Sequence, residues 1–123
     1  MAEFAKRLSN AATATIANGA SLSDAIDLRD YAIAAICLPA AWTAAAITFT
    51  ASASQSGTYN SVYDDAGTEV ALASANVVAS RVLVNKAILE QLAGLRWVKM
   101  RSGTAATPVN QGADRAVTVL LKS

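Results

Sequence analysis

Hydrophobic and polar residues alternate along several short stretches of the chain, which is the pattern of a half-buried β-strand. In residues 47–54, isoleucine, phenylalanine and alanine occupy every second position, and threonine or serine fills the positions between them. A period of two overrides the helical preference of the many alanines here. Further stretches that predict strands are 25–28, 31–38, 59–63, 69–73, 80–84, 97–101 and 116–121.

The stretch around Val98 allows its two faces to be assigned. Val98 and Met100 alternate with charged residues, so we expect both to point into a core. Lys99 and Arg101 are then expected to point outwards, because a register slip of one residue would bury two charges.

Turn-forming residues separate the strand-like stretches, and helical patterns are few. Many short strands at intervals of about ten residues predict an all-β fold, a jelly-roll-like antiparallel β-sandwich. Residues 86–93 carry one apolar stripe that ends at Gly94, which predicts a short helix. Phe4 and Leu8 are four residues apart, so a second short helix at the N-terminus remains open, and we expect at most one or two. The turn signals are Asn18-Gly19, Pro39, Ser56-Gly57, Ala66-Gly67 and Ser102-Gly103.

The N-terminal twenty residues are predicted to be an arm, and residues 21–123 the sandwich domain. Phe4 and Leu8 supply apolar anchors, while Lys6 and Arg7 could pair with acidic groups on a neighbouring subunit. The alternative is an arm that folds back over its own sheet.

The composition favours a protein that packs among other subunits in an assembly over an enzyme or a nucleic-acid-binding protein. The chain is 54% hydrophobic but only 15% charged, and its 123 residues suffice for one domain with a real core. Ten basic and nine acidic residues leave a net charge of +1, so we expect no nucleic-acid partner. So few charges suit a protein packed among other subunits, although a low-charge monomer remains an alternative.

Charge also shifts along the chain. Residues 1–75 contain three basic and seven acidic residues, and residues 76–123 contain seven basic and two acidic ones. Neutralisation between paired strands is the simpler interpretation. A two-signed surface that docks head to tail is the alternative.

The sequence contains few residues that could act in catalysis, and we expect no enzymatic activity and no cofactor. The chain has no histidine, which excludes Ser-His and Cys-His pairs and histidine-based metal sites. Cys37, the single cysteine, lies in an apolar run and is predicted to be a buried small hydrophobic residue. The acidic segment 64–69 (DDAGTE) could hold Ca²⁺ or supply an acid and a base. A hairpin turn with Gly67 at positive φ is the favoured interpretation.

Two tryptophans suggest a ligand-binding face. Trp97 shares a strand face with Lys99 and Arg101, which allows a cation–π contact or a stacking platform for a sugar ring. The simpler alternative is that each tryptophan covers the edge of a small core. A long polar loop over residues 102–115 could add contacts. The possible ligand face therefore comprises Trp42, Trp97, Asn110 and Gln111.

No membrane or export segment is expected. Residues 31–53 carry no charge and are long enough to span a bilayer, but Pro39 and several threonines interrupt them. Residues 1–18 contain charges and no leucine-rich core of a signal peptide. We expect synthesis in the cytoplasm.

Four segments taken together resemble a known class of proteins. Residues 38–45 (LPAAWTAA) lead into an Ile-Thr-Phe strand, and residues 62–69 (VYDDAGTE) follow. Residues 97–104 (WVKMRSGT) and 108–111 (PVNQ) come last. This order resembles small head proteins of tailed bacteriophages and phage-like particles, of the decoration, cement or spike type. The resemblance covers residues 22–122.

The resemblance implies a sandwich of jelly-roll or galactose-binding-like type that sits on the outer capsid surface and reinforces the lattice of the major capsid protein. It implies a homo-oligomer on the particle, a trimer being one option. The N-terminal arm lies outside the resemblance, and from its own residues we expect Phe4, Lys6, Arg7 and Leu8 to contact the capsid. The alternative is a carbohydrate-binding head spike or host-adhesion module, with a glycan as ligand. The resemblance implies no catalytic residue.

Overall fold

The computed structural model describes residues 9–84 and 86–122. Within these residues the chain forms nine strands and one short helix. They are β1 (Ser9–Ile16), β2 (Ile26–Asp27), β3 (Ala32–Cys37), β4 (Ile47–Ser52), β5 (Asn60–Ser61), β6 (Ala71–Leu72), β7 (Val82–Leu83), α1 (Lys86–Gln91), β8 (Trp97–Ser102) and β9 (Arg115–Lys122). Every strand predicted from the alternating pattern is present.

The strands form two antiparallel sheets. Sheet A has the order β1-β9-β3-β7. Sheet B has the order β2-β8-β4, and both β5 and β6 pair with the outer edge of β4. The inward residues of both sheets share one apolar core, which makes the fold a β-sandwich and confirms the all-β prediction. Strands β1 to β4 alternate between the sheets; the finer assignment as a jelly roll stays a prediction.

The core lies between the two sheets and follows the predicted alternation. Phe49 and Val98 are fully buried, and Met100 is 1% exposed. The prediction that Val98 and Met100 point inwards is therefore confirmed. Sheet A contributes Ala14, Ile33, Ile36, Val117, Val119 and Leu121 to the same cluster.

The N-terminal boundary drawn from the sequence is wrong, because β1 belongs to the sandwich. Residues 9–16 pair one by one with β9, and Ala14 and Ile16 are fully buried. Pairing with β9 holds these residues in a strand in spite of the helix-favouring alanines, and the period of two in Ala12, Ala14 and Ile16 then places them on the inner face. The predicted contacts of Phe4, Lys6, Arg7 and Leu8 lie outside the described residues.

The predicted short helix and the predicted hairpin turn are both present. α1 begins at Lys86 and ends at Gln91, before Gly94. Among the described residues, no helix is long and apolar enough to cross a membrane. In the turn after β5, the Asp64 carboxylate accepts hydrogen bonds from the backbone N–H groups of Ala66 and Thr68, both at 2.9 Å. Gly67 has φ +84°, where a side chain would be strained.

Candidate binding faces

The outer face of sheet A carries no charged residue in its central part. Directly paired residues of neighbouring strands point to the same side of a sheet, so the exposed residues can be followed from strand to strand. Leu120 lies opposite Ala11, and Thr118 lies opposite Thr13. Lys122, half-buried, borders this face at one end. We call it the neutral face; it comprises Ala11, Thr13, Thr15, Cys37, Val82, Ala116, Thr118 and Leu120.

The neutral face exposes apolar side chains where a solvent-facing sheet normally carries polar ones. Leu120 is 38% exposed and Val82 is 56% exposed. The threonines and alanines around them add no charge. An apolar, uncharged sheet surface of this kind is typical of a protein–protein contact.

Cys37 lies on the neutral face and is half-buried, which corrects the prediction of a buried thiol. A β-bulge between Ile33 and Ala35 shifts the register of β3 against β9. Ile33 and Ile36 therefore both point inwards although they are three residues apart, and Cys37 points outwards.

The outer face of sheet B is different, because it carries aromatic rings and charges. The Arg96 guanidinium lies 5.0 Å from the centre of the Trp97 ring, and the Lys99 ammonium lies 4.4 Å from the centre of the Tyr59 ring. Both distances permit cation–π attraction. We call these four residues, together with Asp27, the charged face. The sequence predicted a cation beside Trp97, but it is Arg96 and not Lys99 or Arg101.

Asp27 fixes the position of Arg96 on the charged face. Its Oδ1 accepts a hydrogen bond from Arg96 Nε at 3.0 Å, and its Oδ2 accepts one from Arg29 Nε at 2.8 Å. The hydrogen bond from Arg96 is the main cause that lowers the pKa of Asp27, although desolvation acts in the opposite direction. The hydrogen bond to Asp27 raises the pKa of Arg29, which stays protonated. Because these groups are exposed, they orient the arginine more than they stabilise the fold.

Arg101 points away from the core, as predicted, but it is buried instead of exposed. The hairpin formed by β5 and β6 covers it, and its side chain is only 9% exposed. Arg101 Nη2 donates to Glu69 Oε2 at 2.7 Å, and Arg101 Nε donates to Thr48 Oγ1 at 2.9 Å. Glu69 also accepts the backbone N–H of Ala105 at 3.0 Å. Sequence reasoning treated Glu69 as part of the acidic turn and missed this pairing.

The charge shift along the chain is at least partly neutralised internally. Asp27 and Glu69, from the acidic first part, pair with Arg96 and Arg101 from the basic second part. Both ion pairs therefore agree with the simpler interpretation of the charge shift, neutralisation between neighbouring segments of the fold.

Gln111 is an internal clamp, so its predicted place on a ligand face is corrected. It is 1% exposed, and its amide uses all four hydrogen-bonding positions. The Oε1 atom accepts from the Thr43 N–H at 2.8 Å and from Arg115 Nε at 3.0 Å. The Nε2 atom donates to the Thr43 carbonyl at 3.0 Å and to Ser102 Oγ at 2.6 Å. No amide group of Gln111 is left for a ligand.

The other predicted ligand residues do not come together. Trp42 is half-buried against the core, and its ring N–H lies 3.4 Å from the Ala45 carbonyl. Its neighbour Thr43 is held near the last residue of β8 through Gln111, whereas Trp97 is the first residue of that strand. Five residue steps separate these ends by about 17 Å. Asn110 is exposed beside Gln111, so only Trp97 belongs to the charged face.

A shallow open groove runs beside Arg96. It has a volume of about 680 Å³ and lies where the end of β4 meets the segment before β8. Its lining combines hydroxyl, amide and guanidinium groups with apolar alanine and leucine side chains. The groove is lined by Ser52, Ser54, Thr58, Asn60, Leu95 and Arg96, among others.

In residues 9–84 and 86–122, no group of three or more histidine, cysteine or acidic side chains is placed to hold a metal ion. Comparison of the chain with protein-family models, with curated proteins and with solved structures gives no match.

Proposed function

We propose that this protein is a structural protein of a tailed-bacteriophage or phage-like particle, which binds the outer capsid surface and reinforces the lattice of the major capsid protein. The observation that carries the proposal is the neutral face. The resemblance of residues 22–122 to head decoration, cement and spike proteins supplies the class of particle. Synthesis in the host cytoplasm and oligomers on the virion belong to the same proposal.

The two outer faces of the sandwich suit different surroundings. Burial of Leu120 and Val82 removes apolar area from water, which favours association by roughly 25 cal/mol per Å² and requires no desolvation of a charge. The charged face would lose hydration of Asp27, Arg96 and Lys99 if it were buried against another protein. We therefore assign the neutral face to the shell and the charged face to solvent.

The loops at one end of the sandwich are held in place before any partner binds. Gln111 joins the loop after β3, the end of β8 and the loop before β9 through four hydrogen bonds. A pre-organised surface loses little conformational entropy on binding, which favours a protein that tightens a lattice.

Capsids purified from cells that produce the protein provide a direct test of the proposal. We expect the protein to co-purify with capsids through a density gradient and to lie on their outer surface by immunogold microscopy. Leu120→Lys should reduce its occupancy at least tenfold, because an unpaired charge would be buried at the contact.

Lys99→Gln is the matched control, since it changes one charge on the opposite face, and its occupancy should equal that of the wild type. Both variants should keep the circular-dichroism spectrum of the wild type. Absence of the protein from purified particles would contradict the assignment.

A second candidate function, glycan binding in a head spike or adhesion module, is favoured by one observation. The open groove beside Arg96 combines hydroxyl and amide groups with a guanidinium and lies next to Trp97, and such groups bind sugar hydroxyls and ring faces. A glycan array followed by titration against tryptophan fluorescence tests it. Trp97→Ala should abolish binding, whereas Trp42→Ala, at the far end of β8, should not.

A further inference from the structure

The outer edge of β1 presents backbone groups that point away from the sandwich. The N–H of Thr15 donates to the Asp24 carboxylate at 2.8 Å, and the Thr15 carbonyl accepts the backbone N–H of Asp24 at 3.2 Å. Both groups of Thr15 therefore point away from β9. Because this direction alternates along an antiparallel strand, Thr13 and Ala11 point the same way.

These outward groups are only partly occupied. The N–H of Ala11 donates to its neighbour's side chain, Asn10 Oδ1, at 2.9 Å. At Thr13, neither the N–H nor the carbonyl has a hydrogen-bond partner within residues 9–84 and 86–122. The open part of the edge thus runs from Asn10 to Ala14, and Asp24 closes it at Thr15.

Strand β1 also lacks the features that usually prevent edge-to-edge pairing. Such edges are commonly protected by a charge, a proline or a bulge. Residues 9–16 contain no charged residue and no proline, and their pairing with β9 runs without a bulge. An extended strand with this pattern is a template for a further strand.

We propose that β1 pairs antiparallel with β1 of a second copy of this chain, around a two-fold axis at Ala12. In this register Ala11 of each copy lies opposite Thr13 of the other, and each such pair exchanges two backbone hydrogen bonds. The pairing uses the open N–H and carbonyl of Thr13, and the Ala11 N–H exchanges Asn10 Oδ1 for the partner strand. It ends where Asp24 blocks Thr15. Two copies then join their A sheets into one continuous sheet.

Charge and packing agree with this partner. Asp24 lies at one end of the open edge, and Lys122 of β9 lies beside Ser9 at the other. Antiparallel pairing brings the Asp24 end of each copy towards the Lys122 end of the other, so opposite charges approach. Ala12, which is only partly buried against the core, would be covered by its counterpart.

The contact is small, so we expect a weak dimer in free solution. Five residues of one strand bury less than the roughly 1,200 Å² of a stable interface. Binding to a common surface would strengthen the contact by raising the local concentration. The proposal does not depend on what that surface is.

Disulfide trapping tests the register. In a Cys37→Ser background, Ala12→Cys should give a disulfide-linked dimer under mild oxidation, because the two Ala12 residues form a non-hydrogen-bonded pair with Cα atoms about 4.5 Å apart. Thr15→Cys in the same background is the control: its side chain is exposed, but it lies away from the two-fold axis and its edge is blocked by Asp24. We expect at least tenfold less dimer from Thr15→Cys.

A proline substitution in β1 provides a second test. Thr13→Pro removes an N–H that points away from β9, so the fold should survive while the crosslink through Ala12→Cys is lost. Thr13→Ala keeps the N–H and should keep the crosslink. Equal crosslinking of Ala12→Cys and Thr15→Cys, or a crosslink that survives Thr13→Pro, would overturn the proposal. So would a crosslink that forms only after residues 1–8 are deleted, since those residues would then occupy the edge.

Discussion

Arg101 Nη2 lies 2.7 Å from Glu69 Oε2, and both side chains are largely shielded from water beneath the hairpin of β5 and β6. The pair joins β8 to the hairpin, and Glu69 also accepts the backbone N–H of Ala105 in the next loop. The hairpin is thus held by one carboxylate to β8 and to the loop that follows it, both of which are distant from the hairpin in sequence.

Removal of Glu69 should destabilise the protein strongly. Glu69→Ala leaves the Arg101 guanidinium shielded from water and without its counter-charge, which costs about 3 kcal/mol. Urea unfolding of the variant, of Arg101→Met and of the double variant measures the coupling. We expect the double variant to be more stable than the sum of the single changes predicts; simple additivity would contradict the pairing.

Replacement of Gln111 should also be costly, despite its polar character. Gln111→Met has a similar volume but leaves the backbone groups of Thr43 and the Ser102 hydroxyl without their partner. Each buried unpaired group costs about 1–3 kcal/mol, so the free energy of unfolding should fall by at least about 2 kcal/mol. Asn110→Ala, on the exposed neighbour, should change it by less than about 0.5 kcal/mol. Similar midpoints for the two variants would refute the clamp.

The assignment of the two faces of β8 has its own test. Met100→Asp places a carboxylate in the core and should cost several kcal/mol, because the group would be buried without a partner. Lys99→Asp loses only a surface contact with the Tyr59 ring and should cost about 1 kcal/mol or less. Chemical denaturation curves of both variants decide the matter, and equal losses would mean that the faces are misassigned.

The pKa of Asp27 predicts a pH-dependent change on the charged face. Folding lowers the pKa of this carboxyl from its ordinary value of 3.8, so the ionised carboxylate stabilises the folded protein at pH values above 3.8. This contribution is lost as the pH falls through the pKa of the folded state. As the pH is lowered from about 4, the thermal midpoint of the wild type should therefore decrease more steeply than that of Asp27→Asn. Trp97 fluorescence should change over the same range in the wild type alone, since protonated Asp27 releases Arg96. Parallel curves for the two proteins would contradict this linkage.

Cys37 can report on the neutral face. The side chain is half-buried and points outwards, so a small thiol reagent should label the folded protein at a measurable rate. If the neutral face binds the capsid, labelling should slow at least tenfold on the particle. Mass spectrometry of the free and particle-bound protein measures both rates; equal rates would place the capsid contact elsewhere.

Much of the strand pattern could be predicted from the sequence because it is local. Alternation in residues 47–52 and 97–102 is a property of neighbouring residues, and a pleated strand converts it directly into an inner and an outer face. The turn at Gly67 and the helix that ends before Gly94 follow equally short signals. Local patterns of this kind predicted eight of the nine strands, α1 and the inward direction of Val98 and Met100.

The remaining features depend on segments far apart in the chain. Whether β1 is an arm or a strand is decided by its pairing with β9, about a hundred residues away, and alanine has no strong preference of its own for the strand. A bulge set by the pairing of β3 with β9 turned Cys37 outwards.

Arg101 was buried by a hairpin whose position the alternation of β8 does not encode, and Gln111 found its partners at Thr43, 68 residues earlier. Alternation specifies which side of a strand a residue faces. What covers that side is settled when the sheets and loops pack, because burial and hydrogen bonding are properties of the assembled neighbours.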